Sequence, residues 1–449
     1  MIQGVKKKFG LDAKNIYAVT DAGSNVKRAV SLGNMEHHLC LGHALHNLVT
    51  VDGIDSVPEV KELVNKCKKI VKTVRYRLPE VELEAEKVQK EFLDSVERVV
   101  ETLEIDESNP ILQSNSQTAT EASIEWFAED MSLMTADNCR NIPSIKTTTP
   151  TRWHSILEML ESLIHVCNRD PINNMLRKVG KDELKITQNE WILLEDLVKF
   201  LNRFREAVEI MSSQKTCTMN VALVFRSEII DVLKSLDDDE SLVLFRLKRN
   251  MLANIDKRFP VTKPVVAAAL LDKRFMGLKE LDLYLESKNM TKASFLASYI
   301  KEVIKSHDLP GNCERNETYT SVSLNTSSSS SILSKLSKKH SAGHGHGLED
   351  IDPLDQECWR YLASAVGSTD INNEDLLSFW NEKKKQFPWL STFARALLCV
   401  PATSTPSERV FSVAGMVLSA KRSRLSPQRV NKIIFIHDNY RECKNYKEN

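Results

Sequence analysis

The segment from Cys399 to Asn439, CVPATSTPSERVFSVAGMVLSAKRSRLSPQRVNKIIFIHDN, constrains the fold more than any other part of the chain. Thr405, Pro406, Ser407 and Glu408 form a helix-start signal. A hydroxyl stands at the N-cap, proline takes the first helical position, and a carboxylate two residues later can close a capping box. Val410, Phe411 and Val413 follow as core-facing material, and a second start stands at Ser426-Pro427. The apolar block Ile433-Ile434-Phe435-Ile436 comes next, after a basic turn with Lys421, Arg422, Arg424 and Arg429. A chain end so rich in apolar residues is tied down rather than frayed. It is expected to pack into a core or onto a second subunit.

Composition sets the frame. With 449 residues, 42% of them hydrophobic, the chain can bury a large core and is expected to hold two or three domains. Lys plus Arg and Asp plus Glu each number 61, so no global charge draws it to nucleic acid or membrane, and any such binding must use local patches. The nine cysteines show no paired spacing, which points to free thiols in a reducing compartment. The start, MIQGVKKKFGLD, lacks a signal-peptide core, and no apolar run approaches the roughly 20 residues of a membrane span. The expectation is an intracellular protein with no membrane partner.

Along the chain, Asn15 to Thr20 reads as a buried strand ending in the turn Asp21-Ala22-Gly23-Ser24-Asn25, and a helix begins at Val26. Glu36 to Cys40 predicts a second strand, followed by a helix from His43 to Val51. Residues 57–107 read as helical, with Lys66, Lys68, Lys69, Lys72, Arg75 and Arg77 in the first half. Solvated faces account for most charge of this kind, yet the cluster is the first place to look for a phosphate contact. Residues 108–150 read as a loop. From Thr151 helices dominate: Thr187 and Glu190 form a capping box, and further helices are predicted at 219–236, 240–257, 277–286 and 291–306. Residues 308–347, with SSSSS at 327–331 and His340, His344 and His346, are too polar to offset their ordering entropy. A final ordered block starts near Asp352, with Trp359, Tyr361, Trp380 and Trp389 as large core side chains.

Four colinear blocks resemble the hAT (hobo/Activator) transposase superfamily, and its BED-type zinc-finger relatives in particular. They are TDAGSN at 20–25, similar to a TDNASN-type motif with Ala22 where Asn is common; CLGH at 40–43; TRWHS at 151–155 with LDKRF at 271–275; and SERVFS at 407–412 with KRSRL before the last helix. The resemblance implies a mixed α/β, helix-dominated fold. A truncated RNase H-like core with a helical extension would span 1–150, an all-α insertion domain 151–307, and a disordered linker 308–351. A helical dimerisation region completing the core would span 352–449.

It also implies roles for single residues. Asp21 and Glu408 correspond to two carboxylates of an Asp-Asp-Glu site, which holds two Mg²⁺ or Mn²⁺ ions about 3.5–4 Å apart. Read from the residues alone, Asp21 equally suits a turn, and Glu408 a capping box worth about 1 kcal/mol. His43 inherits a part in DNA handling, with a buried thiol beside a helix-start histidine as the alternative for Cys40-His43. Arg152 and Trp153 would hold a phosphate and stack on an unpaired base, or Trp153 would anchor a helix start. Phe411, Val430, Ile433, Ile434 and Phe435 would build the dimer contact. No strand-borne Asp stands before Asp21, and Asp12 lies in a turn-like context. The expectation is therefore a nuclear homodimer or higher homo-oligomer, with DNA as a second partner, without catalysis and without a cofactor. The alternative is a piece of an active, metal-dependent transposase.

Overall fold

In the computed structural model the described residues are 17–33, 35–104, 145–148, 153–165, 169–236, 240–307, 352–365, 375–418 and 425–445. Arg152, Asp12, the basic turn residues Lys421, Arg422 and Arg424, and the predicted segments 108–144 and 308–351 lie outside them.

Helices dominate, as the sequence predicts. Strand β1 (Tyr17–Thr20) leads through Asp21 into helix α1 (Ser24–Leu32), and β2 (Glu36–Leu39) returns beside it. The two strands pair in parallel, Tyr17 opposite Glu36 and Thr20 opposite Leu39. A parallel pair needs a crossover, and the helix between them supplies it. Then come α2 (Leu41–Asn47), a wider helical turn over Leu48–Gly53, α3 (Pro58–Val74) and α4 (Leu78–Glu104). The stretch over 57–107 that reads as helical is two helices, broken at Arg75–Arg77. There Arg77 N donates to the Val74 carbonyl at 2.7 Å, and Pro79 stands in the first turn of the next helix. The series continues with α5 (Trp153–Ile164), α6 (Arg169–Lys178), α7 (Gln188–Asn202), α8 (Arg205–Met211), α9 (Ala222–Lys234) and α10 (Leu242–Arg258). It ends with α11 (Lys263–Leu270), α12 (Lys279–Ser287), α13 (Lys292–His307), α14 (Pro353–Ala365), α15 (Leu376–Glu382), α16 (Pro388–Leu398), α17 (Thr405–Val417) and α18 (Pro427–Asn445).

The chain divides into two compact units, each discontinuous in sequence: residues 1–40, 211–225 and 261–449 form the first, and 41–210 with 226–260 the second. In the first, α11 is the centre. Val266 to Leu270 are wholly buried, and three successive alanines let neighbouring helices approach closely. The carbonyls at its end would be orphaned by the helix terminus. Tyr361 Oη donates to the Leu270 carbonyl at 3.2 Å and Trp380 Nε1 to that of Leu271 at 3.1 Å. Tyr17 and Val19 of β1 pack against this core. Asp272 is 2% exposed and receives Asn220 Nδ2 at 2.9 Å, Arg274 Nη2 at 2.6 Å and the Arg274 amide at 3.1 Å. That satisfies the structural reading of the LDKRF block.

The second unit packs α2, α3, α5, α7 and α10 around Leu45, Leu63, Leu157, Leu160, Trp191, Leu197 and Met251. The capping box predicted at the start of α7 is present. The Thr187 hydroxyl accepts from Glu190 N, and the Glu190 carboxylate accepts from Thr187 N at 2.8 Å. The same carboxylate pairs with Lys66 of α3 at 2.8 Å. Asp52 takes Arg258 Nη2 at 3.0 Å, fixing the turn after α2 to the end of α10. A Cβ on Gly53 would stand 3.0 Å from Met251 Sδ, so any side chain in that turn would push the Met251 side chain of α10 aside by a few tenths of an ångström.

Glu357, on α14, is 2% exposed and accepts the Leu390 amide at 2.7 Å, capping the start of α16. Burial pushes its carboxyl up from 4.5 to about 6, against the pull of the Leu390 and Trp389 amides and of Arg360. The sign follows from linkage. The folded state holds this proton more tightly, so the contribution is complete below pH 4.5 and is lost as pH rises through about 6. The shift is worth about 2 kcal/mol. Glu357→Gln should therefore change the stability difference from wild type by about that amount between the two ends of this window, read by urea denaturation. A difference that stays constant across it would refute the assignment.

Candidate functional site

The site is built where β2 ends and α17 begins, both in the first unit. The Cys40 amide donates to the Thr20 carbonyl at 2.7 Å, extending the strand pairing by one residue and bringing the Cys40 thiol inward. That thiol is fully buried and accepts the Ser404 amide at 3.1 Å. Ser404 Oγ stands 3.2 Å from Cys40 Sγ and 3.0 Å from Glu408 Oε1. One hydroxyl proton serves one acceptor, and a carboxylate oxygen accepts better than a thiol sulfur. A Glu408 carboxylate oxygen lies within 4.8 Å of the Cys40 sulfur. The structure thus joins the CLGH and SERVFS blocks, which the sequence separates by several hundred residues.

The start of α17 is held from a second side. The Ala402 amide donates to Thr218 Oγ1 at 2.9 Å, Thr403 Oγ1 to the Met211 carbonyl at 3.2 Å, and Arg409 Nη2 to the Ser212 carbonyl at 3.0 Å. Beside it lies a cavity of about 230 Å³ lined by Ser213, Gln214, Thr216, Cys399, Pro401 and Pro406.

This arrangement corrects the expected capping box. The N-cap is Ser404, Thr405 is already helical, and no side chain caps the helix. Glu408 lies one residue too deep for the reciprocal bond, and its carboxylate holds the Ser404 hydroxyl. The Ser404 amide itself donates to the Cys40 thiol.

Asp21 ends β1 half-buried, and its Oδ1 accepts the Gly23 amide at 3.1 Å, as a turn-forming aspartate does. Among the described residues Asp21 joins no group of three metal-capable side chains. Beside it, Thr20 Oγ1 meets His37 Nε2 at 2.8 Å, and Tyr17 stacks on His38 at 5.1 Å. Burial, and then His37, push the His38 imidazole down to about 4, so it is neutral at physiological pH.

His43 is half-buried on α2, and burial with the nearby His43 lowers the His46 imidazole. Trp153 is 3% exposed and meets Phe204 edge-on, with ring centroids 6.4 Å apart. Its faces are filled by protein, so it anchors the start of α5 rather than offering a stacking surface. Arg152, its predicted companion, lies outside the described residues.

Helices α17 and α18 pack on each other and leave much of their apolar surface uncovered. Phe411 is 74% exposed and Phe435 66%, with Ile433, Ile436, Met416 and Tyr440 also exposed. Ile434 is half-buried and Val430 is buried, which removes Val430 from the contact surface expected of it. Among the described residues no helix is long and apolar enough to cross a membrane.

Comparison with known proteins accounts for this end of the chain. Residues 354–440 match the hAT family C-terminal dimerisation region. Over 298 residues, 64% of the chain, it is 24% identical to a putative AC transposase of Zea mays, covering 36% of that protein. It is 23% identical over 317 residues to a putative AC9 transposase of Zea mays, covering 37% of it. Over 298 residues it is 23% identical to zinc finger BED domain-containing protein 4 of Homo sapiens, covering 24% of it. The chain therefore spans only about a quarter to a third of the length of these relatives. It is a hAT transposase-related chain, at modest identity, that carries the family's C-terminal dimerisation region.

Proposed function

We propose that the chain is a hAT transposase-derived nuclear protein that acts by homodimerisation through α17 and α18 and associates with DNA. It carries out no Asp-Asp-Glu chemistry of its own. In this reading residues 1–150 and 352–449 belong to an RNase H-like core and its dimerisation region, and residues 151–307 to an all-α insertion domain.

The observation that carries the reading is the exposed apolar surface of α17 and α18 inside the matched region. Phe411 and Phe435 are more than half exposed there, alongside Ile436 and Tyr440. Several large apolar side chains left exposed on two helices that pack on each other mark a candidate interaction site. The absence of catalysis is supported by the two candidate carboxylates. Asp21 serves a turn, Glu408 holds Ser404, and Asp21 joins no group of three metal-capable side chains among the described residues. DNA association is supported by the similarity to transposases and by unpaired basic side chains on α3.

Sedimentation equilibrium of the full chain tests the reading. A mass twice the 51.0 kDa of one chain supports it, and a mass of one chain at high micromolar concentration refutes it.

A further inference from the structure

The cations of α3 fall into two sets. Lys61 pairs with Asp55 at 3.3 Å, Lys66 with Glu190 at 2.8 Å, and Arg77, just beyond the helix, with Glu80 at 3.2 Å. Lys68, Lys69, Lys72 and Arg75 are exposed and form no ion pair among the described residues. Lys68, Lys72 and Arg75, but not Lys69, line one open cavity of about 260 Å³ with Tyr76, Thr147 and Thr148, over a floor of Val71 and Met159. No carboxylate lines it. The far wall is held in place. Ile145 is buried, the Lys146 amide donates to Ser162 Oγ at 3.2 Å, and Lys146 Nζ reaches Glu158 at 3.6 Å.

Spacing puts the three cations on one stripe, at i, i+4 and i+7. From residue 68 to 75 the helix rises about 10 Å, roughly the length of three stacked nucleotides. The negative end of a helix favours cations in its last turn. That accounts for Lys72 and Arg75 but not for Lys68, nor for a tyrosine left 81% exposed at the rim. The Arg75 guanidinium lies 5.9 Å from the Tyr76 ring centroid, so charge and aromatic face are presented together. A cationic groove with an exposed ring is the combination that holds single-stranded nucleic acid: phosphates on the cations, a base on the ring.

We propose that this groove binds single-stranded DNA, with Lys68, Lys72 and Arg75 on successive phosphates, Thr147 and Thr148 as hydroxyl donors to them, and a base stacked on Tyr76. The choice of DNA rests on the reading of the chain as a DNA-associating relative of transposases. Neither Trp153 nor His43 is among the residues that line it.

Fluorescence anisotropy of the full chain with a labelled oligo-dT, titrated over a range of salt, tests it. Replacing Lys68, Lys72 and Arg75 together with glutamine should lower the log–log salt slope by about 2, the loss of three single-strand phosphate contacts. Tyr76→Ala should weaken binding roughly tenfold with the slope unchanged, and Tyr76→Phe should not. Lys61→Gln, a paired cation of the same helix, should leave both unchanged. All are surface changes, and an unaltered melting temperature confirms the fold. Unchanged affinity and slope in the triple variant, with wild-type duplex binding retained, overturn the groove assignment alone. A wild-type chain that binds neither duplex nor oligo-dT overturns the DNA-associating reading as well. Binding of oligo-rU tenfold tighter than oligo-dT overturns the assignment to DNA.

Discussion

Asp272→Ala is expected to lower the unfolding free energy by about 3 kcal/mol, the largest single-site effect on stability outside the hydrophobic core. The carboxylate is 2% exposed and serves as acceptor for the Arg274 guanidinium, the Arg274 amide and the Asn220 side chain. Its removal leaves a cation and a buried amide without their acceptor. Arg274 retains 34% side-chain exposure and can turn to water, which holds the cost at the lower end of the range for a broken buried pair. Asn220 cannot: it is 2% exposed, and its Oδ1 already has no partner. Asp272→Asn keeps the shape and one acceptor and should cost about half as much. Urea denaturation followed by Trp fluorescence reads both. A loss under about 1 kcal/mol for the alanine variant would show that the LDKRF turn is held by its backbone alone.

The second large effect concerns assembly. Replacing Phe411 and Phe435 together with glutamate should raise the dimer dissociation constant by about three orders of magnitude. Each buried phenylalanine contributes about 1.5–3 kcal/mol, and each 1.4 kcal/mol is about tenfold. The folded chain should not suffer, because the two side chains are 74% and 66% exposed in the single chain. Val430→Glu is the contrasting case. Val430 is buried within the chain, so that variant should lose stability as well as assembly.

The legible parts of this protein were those whose causes are local. Tyr17 to Thr20 is a strand because a short, mostly apolar run ends at a turn, and that turn at Asp21 is made by its own carboxylate; Glu36 to Leu39 pairs beside it. The box of Thr187 and Glu190 lies within three residues and formed as read. The same signal misled at Glu408, because the N-cap is Ser404 and Glu408 stands one residue too deep to close the box. The buried Cys40 thiol claims the Ser404 amide across a separation of 364 residues, and the helix begins one residue earlier than the proline implied.

Trp153 shows the same limit. Arg-Trp at a helix start reads equally as a stacking platform or an anchor, and only the position of Phe204 decides it. The cation stripe on α3 was visible, but not its division into paired and unpaired members, since the partners of Lys66 and Lys61 depend on tertiary position and on a short loop. Both compact units are discontinuous in sequence, which a linear reading of composition does not reveal.

Light scattering after size exclusion, on the wild-type chain and the Phe411→Glu, Phe435→Glu variant at equal concentration, tests the central claim most directly. The account predicts twice the 51.0 kDa chain mass for the wild type and one chain mass for the variant. A wild-type monomer, or a variant that remains a dimer, would contradict it.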